Sequence, residues 1–370
     1  MPSDANTAET NGSSVGSSIP SIRAMEVEVG REQVCARTEK GQLHCSGGSS
    51  WGPSLLSQVL LQPSTLLVRV EDLEQVDDVA LGAELGCAVA NHRERRGVFC
   101  WLATPGEDAV EVDEKGPTPA QLPLPEDVSA DIVEIAAGRS HFCARTATRT
   151  VWCWDDMAQE EHVPREAEGL RGALRLTMSE GALCAKLPAE VRCLEGTPLL
   201  GKLCEPDDEG HACIDLEETR EFRFSAQNAC RVDAGDTLGQ LVCAGDNRFG
   251  VVLPALASDV ELDWTPLDPG FSTLETSLGD SHACALGNDM RVRCWGKNRG
   301  YATGQPGAVG VPCGDGDRCH GPLVVPMLPD TLSLAGSGEE SCAVVVDGTV
   351  WCWGTRYGDA GRPPHPMILQ

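Results

Sequence analysis

Basic residues are scarce in this chain of 370 residues. Lysine and arginine total 29 against 56 aspartates and glutamates, which gives a formal net charge of −27. Nucleic acids and anionic membrane surfaces are bound through basic patches, so this balance argues against both kinds of partner. The acid excess favours solubility and a cationic partner, and it says nothing about the fold.

Long apolar runs are also missing, although 41% of the residues are hydrophobic. Without 18 consecutive apolar residues, no membrane span is predicted. The first residues lack the basic and apolar regions of a signal peptide. Residues 1–20 are rich in Ser, Asn and Thr, and we predict a flexible tether typical of the mature end of an exported protein. Such an end would accept a lipid tether.

Catalytic motifs are absent from the sequence. We find no G-x-S-x-G, H-E-x-x-H, P-loop or G-x-G-x-x-G pattern. The eight histidines do not cluster, and there are only two tyrosines. The sequence therefore predicts neither an enzyme nor a cofactor.

Cysteine, in contrast, is abundant, but no C-x-x-C occurs among the 18 cysteines, which argues against zinc ribbons and thioredoxin-like sites. So many cysteines favour disulfides formed in an oxidising compartment. In chain order they form nine pairs: Cys35/Cys45, Cys87/Cys100, Cys143/Cys153, Cys184/Cys193, Cys204/Cys213, Cys230/Cys243, Cys284/Cys294, Cys313/Cys319 and Cys342/Cys352.

Seven of these pairs mark an internal repeat. Their first cysteines recur about every 51 residues, which is a spacing typical of propeller blades. A small residue stands five positions before each of them: Gly30, Gly82, Gly138, Ser179, Ser225, Gly279 and Ser337. The two pairs Cys204/Cys213 and Cys313/Cys319 fall between the repeats.

Each repeat is predicted to be a β-hairpin joined by a disulfide. Turn residues such as Asp347-Gly348 separate the paired cysteines. Opposed residues on antiparallel strands have Cα atoms about 4.5–5.5 Å apart, which suits a disulfide. The strands are apolar on both faces, as in "VWCW" from Val151 to Trp154, so each sheet should pack between two others. We predict an all-β, seven-bladed β-propeller over residues 21–370.

Ring closure is predicted at the C-terminus. The last residues, "RPPHPMILQ", are too few for a blade and should add a strand to the blade of the first hairpin.

Three stretches carry a family resemblance: "GDSHACALGNDMRVRCWGKNRGYATG", "GEESCAVVVDGTVWCWGTRYGDAG" and "LVCAGDNRFG". They resemble the regulator of chromosome condensation (RCC1) repeat, and more closely its cysteine-paired form in exported bacterial proteins. This resemblance implies a seven-bladed propeller and a protein partner. The acid excess and the disulfides set the chain apart from members that act on a small GTPase and bind chromatin, so those activities are not carried over.

Candidate partner contacts lie between the repeats. The segment from Cys204 to Glu221 is strongly acidic and lies between the fourth and fifth repeat hairpins, so we expect it to project from the ring as a loop. Its residues Asp207, Asp208 and Glu209 could meet a basic partner or form a solvated face. Trp51 and Trp264 lie in connections, where they could serve an interface or pack beneath a loop.

A metal site has only a weak candidate. Asp315 and Asp317 lie in "CGDGDRCHG", but the further ligands of a calcium loop are missing, so a stapled turn is favoured and no metal is predicted.

Three functions remain open. The first is a monomeric, exported or surface-tethered protein that presents loops of a rigid ring to a protein partner. The others are a structural or adhesive component of the cell envelope, and an enzyme whose site is assembled from loops between blades. All three imply an extracellular, cell-surface or periplasmic location.

Overall fold

The computed structural model of the chain describes 22 segments. These are residues 22–31, 33–47, 65–82, 85–93, 95–102, 120–122, 124, 128, 131–138, 142–154, 163–179, 182–194, 199, 203–207, 210–213, 219–234, 239–254, 257, 261–268, 270–313, 317–355 and 361–370. Within them, no helix is long and apolar enough to cross a membrane.

Seven antiparallel sheets form the seven blades of a propeller, as predicted. Blades 1 to 3 contain β1 (Ala24–Val29), β2 (Gln33–Thr38), β3 (Leu43–Gly47) and β4 (Leu66–Arg69); β5 (Glu74–Leu81), β6 (Leu85–His92), β7 (Arg95–Leu102) and β8 (Ala120–Gln121); and β9 (Ile132–Ala137), β10 (Phe142–Thr146), β11 (Val151–Trp154) and β12 (Arg165–Glu166).

The remaining four blades follow the same order, and blades 4 and 6 each add a fifth strand. Blades 4 and 5 contain β13 (Arg175–Ser179), β14 (Ala182–Lys186), β15 (Val191–Leu194), β16 (Glu205–Asp207) and β17 (Gly210–Cys213); and β18 (Thr219–Phe224), β19 (Asn228–Asp233), β20 (Gln240–Asp246) and β21 (Glu261–Leu267). Blades 6 and 7 contain β22 (Thr273–Leu278), β23 (His282–Gly287), β24 (Val292–Lys297), β25 (Val311–Cys313) and β26 (Asp317–Val324); and β27 (Thr331–Ser337), β28 (Glu339–Val345), β29 (Val350–Thr355) and β30 (Arg362–Pro366). Among the described residues, 3-10 turns cover Glu168–Leu170 and Arg299–Tyr301.

The first strand of each blade faces the centre of the ring. These inner strands, β1, β5, β9, β13, β18, β22 and β27, contact one another in that order, and β27 returns to β1. The C-terminal strand β31 (Ile368–Leu369) pairs in parallel with β4 of the first blade. Its pairing covers an edge of that sheet, and open sheet edges are sites of aggregation.

Disulfides join the second and third strands of every blade, and the predicted pairing is confirmed. In each case the two cysteines are directly opposed in the strand register. The seven blade bridges are Cys35–Cys45, Cys87–Cys100, Cys143–Cys153, Cys184–Cys193, Cys230–Cys243, Cys284–Cys294 and Cys342–Cys352.

The spacing across these bridges differs from the expected 4.5–5.5 Å. All seven pairs have their Cα atoms only 4.0–4.1 Å apart. This value is nearest to that of the non-hydrogen-bonded pairs of an antiparallel ladder, where opposed side chains approach most closely. The bridged cysteines therefore occupy non-hydrogen-bonded positions of the ladder, and their Cα atoms are closer together than expected.

The blade cysteines belong to the core rather than to a functional site. On the third strands, Cys45, Cys100 and Cys193 are buried, whereas Cys153 is only partly buried and packs against the cluster between blades 3 and 4. Their partners on the second strands are all buried. These cysteines are therefore packing residues as well as crosslinks.

Two further pairs lie outside the blade hairpins. Cys313 is joined to Cys319, across 5.8 Å between Cα atoms. Cys204 is also disulfide-bonded, and the side chain of its predicted partner Cys213 lies outside the described part.

The core lies between the blades rather than inside one of them. Each apolar cluster combines residues of two neighbouring blades, as where Trp295 packs with Val232 and Leu267. Trp154, Trp295 and Trp353, which directly follow paired cysteines, are among the largest fully buried side chains. The prediction that both faces of each sheet are buried is therefore confirmed.

Two features of the connections differ from the sequence interpretation. Trp264 lies in strand β21, because the connection after Cys243 contains the fourth strand of blade 5. The acidic segment is not one projecting loop either. Its first half forms the outer strands β16 and β17, whereas its last residue, Glu221, is buried on the inner strand β18.

Candidate functional site: the central channel and its mouth

The inner strands enclose a polar channel along the axis of the ring. It has a volume of about 520 Å³ and is lined by side chains from all seven blades. Acidic residues recur in the repeat four positions before the small residue. They are Glu26, Asp78, Glu134, Glu221 and Glu275, and blades 4 and 7 have Arg175 and Ser333 at this place. We call these residues the channel ring; Glu221 is buried, and the other six line the channel.

Carboxylates of the channel ring bind backbone amides of the next blade. Asp78 Oδ2 accepts a hydrogen bond from the Ile135 N–H at 2.7 Å, and Glu275 Oε2 accepts one from the Leu334 N–H at 3.0 Å. Glu134 and Glu221 make the same contact with Leu176 and Thr276, at 3.1 and 2.9 Å. The inner strands are the edge strands of their sheets and face the channel. Without the carboxylates, these backbone amides would have no hydrogen-bond partner in a sheet.

Some of these carboxylates are neutralised by arginine within their own blade. Glu26 is opposite Arg37 in the strand register, and the two side chains form an ion pair at 2.8 Å. Glu134 and Arg145 repeat this arrangement at 2.5 Å. Both arginines come from the same "CAR" triplet of the repeat.

Three others have an apolar residue where that arginine would be. Glu221 is opposite Val232 and instead pairs with Arg223 on its own strand, with 3.2 Å between Arg223 Nη2 and Glu221 Oε1. Asp78 is opposite Val89, and Glu275 is opposite Leu286. Burial raises the pKa of Asp78 to about 8, and the neighbouring Glu26 carboxylate contributes to this rise. Burial, followed by the Glu221 carboxylate, raises the pKa of Glu275 to about 7.

A second tier of the channel contains Glu28 and Arg223, two positions further along their strands. Burial, with the nearby Glu26 carboxylate, raises the pKa of Glu28 well above its usual range. The pKa of Arg223 is raised because burial, which lowers it, is outweighed by the carboxylates Glu221, Glu275 and Glu28. The channel therefore holds more acid than its arginines neutralise.

These shifts predict an inverted pH dependence of stability. A carboxyl whose pKa is higher in the folded than in the unfolded state stabilises the fold fully below the unfolded pKa, and this contribution is lost as pH rises to the folded pKa. For Asp78 the window runs from 3.8 to about 8, and for Glu275 from 4.5 to about 7. Below pH 6.5 the buried His282 acts in the opposite direction, because burial lowers its pKa from 6.5 to about 4 and stability is gained as pH rises through that range. We therefore expect the free energy of unfolding to fall by about 2 kcal/mol between pH 6.5 and pH 8, a figure reduced for the solvent in the channel.

Denaturant titrations at pH 5, 6.5 and 8 measure this slope. The double variant Asp78→Asn/Glu275→Gln keeps acceptors for both backbone amides, so it should flatten the slope and be more stable than the parent at pH 8. Glu71→Gln, an exposed carboxylate outside the channel, is the control for loss of charge. A parent protein that gains stability from pH 6.5 to pH 8 would contradict the expectation.

A β-bulge interrupts the inner strand directly before the channel ring. In blades 1, 3, 5, 6 and 7 one residue of the inner strand has no partner in the register with the second strand. These residues are Met25, Val133, Arg220, Leu274 and Leu332. Blade 2 has a longer irregularity between Glu74 and Asp78 that contains Asp77. Bulges redirect side chains and are frequent beside functional sites.

Four of the five bulge residues are apolar and exposed. Their exposed fractions are 53% for Met25, 44% for Val133, 41% for Leu274 and 50% for Leu332. We call these four the apolar rim, and the ring face on which they lie the bulge face. Val346 belongs to this face, since its turn hydrogen-bonds to Arg23 beside Met25, and it is 41% exposed.

Charge is distributed unevenly around this mouth. The carboxylates Glu28, Asp78 and Glu275 belong to blades 1, 2 and 6. The apolar rim belongs to blades 1, 3, 6 and 7, so the two groups together occupy the contiguous arc of blades 6, 7, 1, 2 and 3. Blades 4 and 5 contribute the exposed arginines Arg175 and Arg220. The mouth is therefore apolar and acidic on one side and basic on the other.

The predicted partner contacts lie away from this mouth where the structure describes them. Trp264 is half-buried, with its ring 6.2 Å from that of Phe222 and the Arg231 guanidinium 5.1 Å away. Trp51, Asp208 and Glu209 lie outside the described residues, as does the side chain of Asp207. Contact of these residues with a partner stays a prediction.

Of the two candidate metal ligands, only Asp317 is among the described residues. Asp317 pairs with Lys297, with 2.8 Å between Nζ and Oδ2, and Asp315 lies outside the described residues. Across the described part, the one group of three ligand atoms within 4.8 Å of one another is Glu340, Cys342 and Cys352. The two cysteines are joined by a disulfide, so their sulfur atoms are not thiolate ligands.

A serine and a histidine meet between blades 6 and 7. His282 Nε2 is 3.0 Å from Ser341 Oγ, and both residues are buried. Burial lowers the pKa of His282 to about 4. Since neither side chain reaches solvent or the channel lining, this contact joins the blades rather than forming a nucleophile and base pair.

Comparison with known proteins agrees with this fold. Residues 132–154, in the third blade, match the regulator of chromosome condensation (RCC1) repeat. The structure of Kap60 bound to yeast RCC1 (Prp20) contains a similar chain, with a TM-score of 0.66 and 14% identity over 99% of this chain and 91% of that one. The resemblance to the RCC1 repeat is thus confirmed. Among curated proteins, no sequence matches the chain.

Two further solved structures are similar. Human WBSCR16 has a TM-score of 0.59 and 14% identity, over 85% of each chain. The CRINKLY WD40 ectodomain of the Arabidopsis thaliana receptor kinase ACR4 has a TM-score of 0.53 and 14% identity, over 93% of this chain and 99% of that one. At such identities the likeness establishes the propeller fold alone.

Proposed function

We propose that this chain is an exported or surface-tethered binding protein that engages a protein partner through its bulge face. The observation that carries the proposal is the apolar rim. At one position of the repeat, four blades expose an apolar side chain on the same mouth of the ring. A shared exposed apolar surface is typical of protein interfaces and is costly to leave in water.

The disulfides support the proposed location. The described residues contain eight complete disulfides. Disulfides would not persist in a reducing cytosol, so these eight indicate an oxidising environment. An extracellular, cell-surface or periplasmic location satisfies this requirement. The fold supports the role as well, since a rigid ring lowers the entropic cost of presenting a surface to a partner.

The test uses a double variant and a matched control. The oxidised protein is cross-linked to secreted and envelope fractions, the captured protein is purified, and its affinity is measured. Met25→Asp/Leu332→Asp, on adjacent inner strands, should weaken binding at least tenfold. Val163→Asp/Val311→Asp changes two residues that are each 65% exposed but lie outside the bulge face, and should alter binding less than twofold.

Two results would contradict the proposal. One is a partner bound equally well by the rim variant and the parent. The other is recovery of loosely held glycan alone, unchanged by either variant, which would favour the structural or adhesive role.

A further inference from the structure

The bulge face combines its apolar rim with carboxylates directly inside the mouth. Asp78 and Glu275 follow the bulge region on their strands, and neither has an arginine opposite it in the register. Glu28, half-buried in the channel wall, is in the neighbouring blade 1. A ligand that matches this surface needs apolar groups around a cationic one.

A bare metal ion fits this arrangement poorly. No three carboxylates of the described channel wall bring an oxygen each within 4.8 Å of one another. Divalent cations hold their oxygen ligands at about 2.0–2.6 Å from the ion, so ligand oxygens must lie closer together than the channel places them. Spread carboxylates suit instead an extended cation, such as a guanidinium or an ammonium on a flexible stem.

The charges on the opposite side of the mouth orient a cationic ligand. Arg175 and Arg220 are exposed, and Arg223 lines the channel below them. A cationic group is repelled by Arg175 and Arg220 and attracted to the carboxylates of blades 6, 1 and 2, of which Glu28 and Glu275 are partly compensated by Arg223. The net charge of −27 strengthens the attraction at long range.

We propose that the bulge face binds a polypeptide that inserts one lysine or arginine side chain into the channel, while apolar residues flanking it pack on Met25, Leu274 and Leu332. This inference rests on the proposed function and specifies the chemistry of its partner. The inserted cation lies among Glu28, Asp78 and Glu275, and the channel volume of about 520 Å³ leaves room for the side chain. The carboxylates lose their protons to the channel solvent as the cation enters, because an opposite charge favours their ionised form.

A displayed library of cyclic peptides, selected on the oxidised full-length protein at pH 7.5, provides the probe. We expect enrichment of sequences with one lysine or arginine between apolar residues. A selected arginine peptide is then resynthesised with citrulline, which keeps the shape of the side chain and removes its charge. The citrulline peptide should bind at least tenfold more weakly.

Channel variants complete the cycle. Glu28→Gln/Glu275→Gln should weaken the arginine peptide about tenfold and leave the citrulline peptide within twofold, since the lost interaction needs both charges. Glu71→Gln, outside the channel, should change neither affinity. Higher salt should weaken the arginine peptide more than the citrulline peptide.

The outcomes separate the two proposals. The cation insertion is wrong, and the binding face stands, in either of two cases. In the first, the selected peptides no longer bind Met25→Asp/Leu332→Asp but contain no basic residue. In the second, the citrulline peptide binds the parent protein as tightly as the arginine peptide does. If the selected peptides ignore the rim variant, or if no peptide is enriched, both proposals are contradicted.

Discussion

Replacing Trp295 by alanine should lower the free energy of unfolding by about 3–5 kcal/mol, as is typical when a fully buried tryptophan is truncated. Trp295 is 0% exposed and lies between blades 5 and 6, so the neighbouring strands cannot close the space it leaves. Denaturant unfolding of the oxidised protein, followed by circular dichroism, measures the loss.

A comparison with Trp353 separates packing from hydrogen bonding. Trp295 Nε1 donates to the Val251 carbonyl at 2.8 Å, whereas Trp353 Nε1, equally buried, has no acceptor among the described residues. Trp295→Phe should therefore cost about 1–3 kcal/mol more than Trp353→Phe, because it leaves the Val251 carbonyl without its donor. Equal losses would mean that this hydrogen bond adds nothing measurable.

Removing one blade disulfide should have the second largest effect. Cys284 and Cys294 are separated by 10 residues, and a crosslink of that length stabilises by about 2–3 kcal/mol through the unfolded chain. Both are buried in the cluster between blades 6 and 7, so Cys284→Ala/Cys294→Ala also leaves a space in the core. We expect a total loss of about 3–5 kcal/mol in thermal or denaturant unfolding.

The bridge between Cys313 and Cys319 is the matched control. It joins the short outer strand β25 to β26 with a separation of 6 residues, and Cys313 is only half-buried. Cys313→Ala/Cys319→Ala should cost less than the blade pair by at least about 1 kcal/mol, since it removes a crosslink without opening the space between blades. The reverse order would show that the blade disulfides do not secure the core.

The blades were predictable because packing repeats in the sequence. Both faces of each sheet must be buried, so the cysteines, the small residues before them and the tryptophans after them recur in a fixed register. Trp264 was misplaced because the fourth strand of its blade has no cysteine to mark it, and its position depends on pairing with β20.

The candidate site was harder to predict, although part of its pattern is in the sequence. An acidic residue stands four positions before the small residue in five of seven repeats. Because acidic residues are abundant throughout the chain, this recurrence is hard to distinguish from the background composition. Each residue of the apolar rim directly precedes a channel-ring residue in the sequence. Strict strand alternation would put Met25 and Val27 on the same buried side, and only the bulge turns Met25 to solvent.

Hydrogen exchange on the complex with the captured partner tests the bulge face most directly. The turns between second and third strands on this face, residues 39–42, 147–150, 288–291 and 346–349, should slow their exchange when the partner binds. The turns on the opposite face, residues 225–228 and 279–281, should exchange as in the free protein. Protection of the opposite turns or of the outer strands, with the bulge face unchanged, would contradict the account.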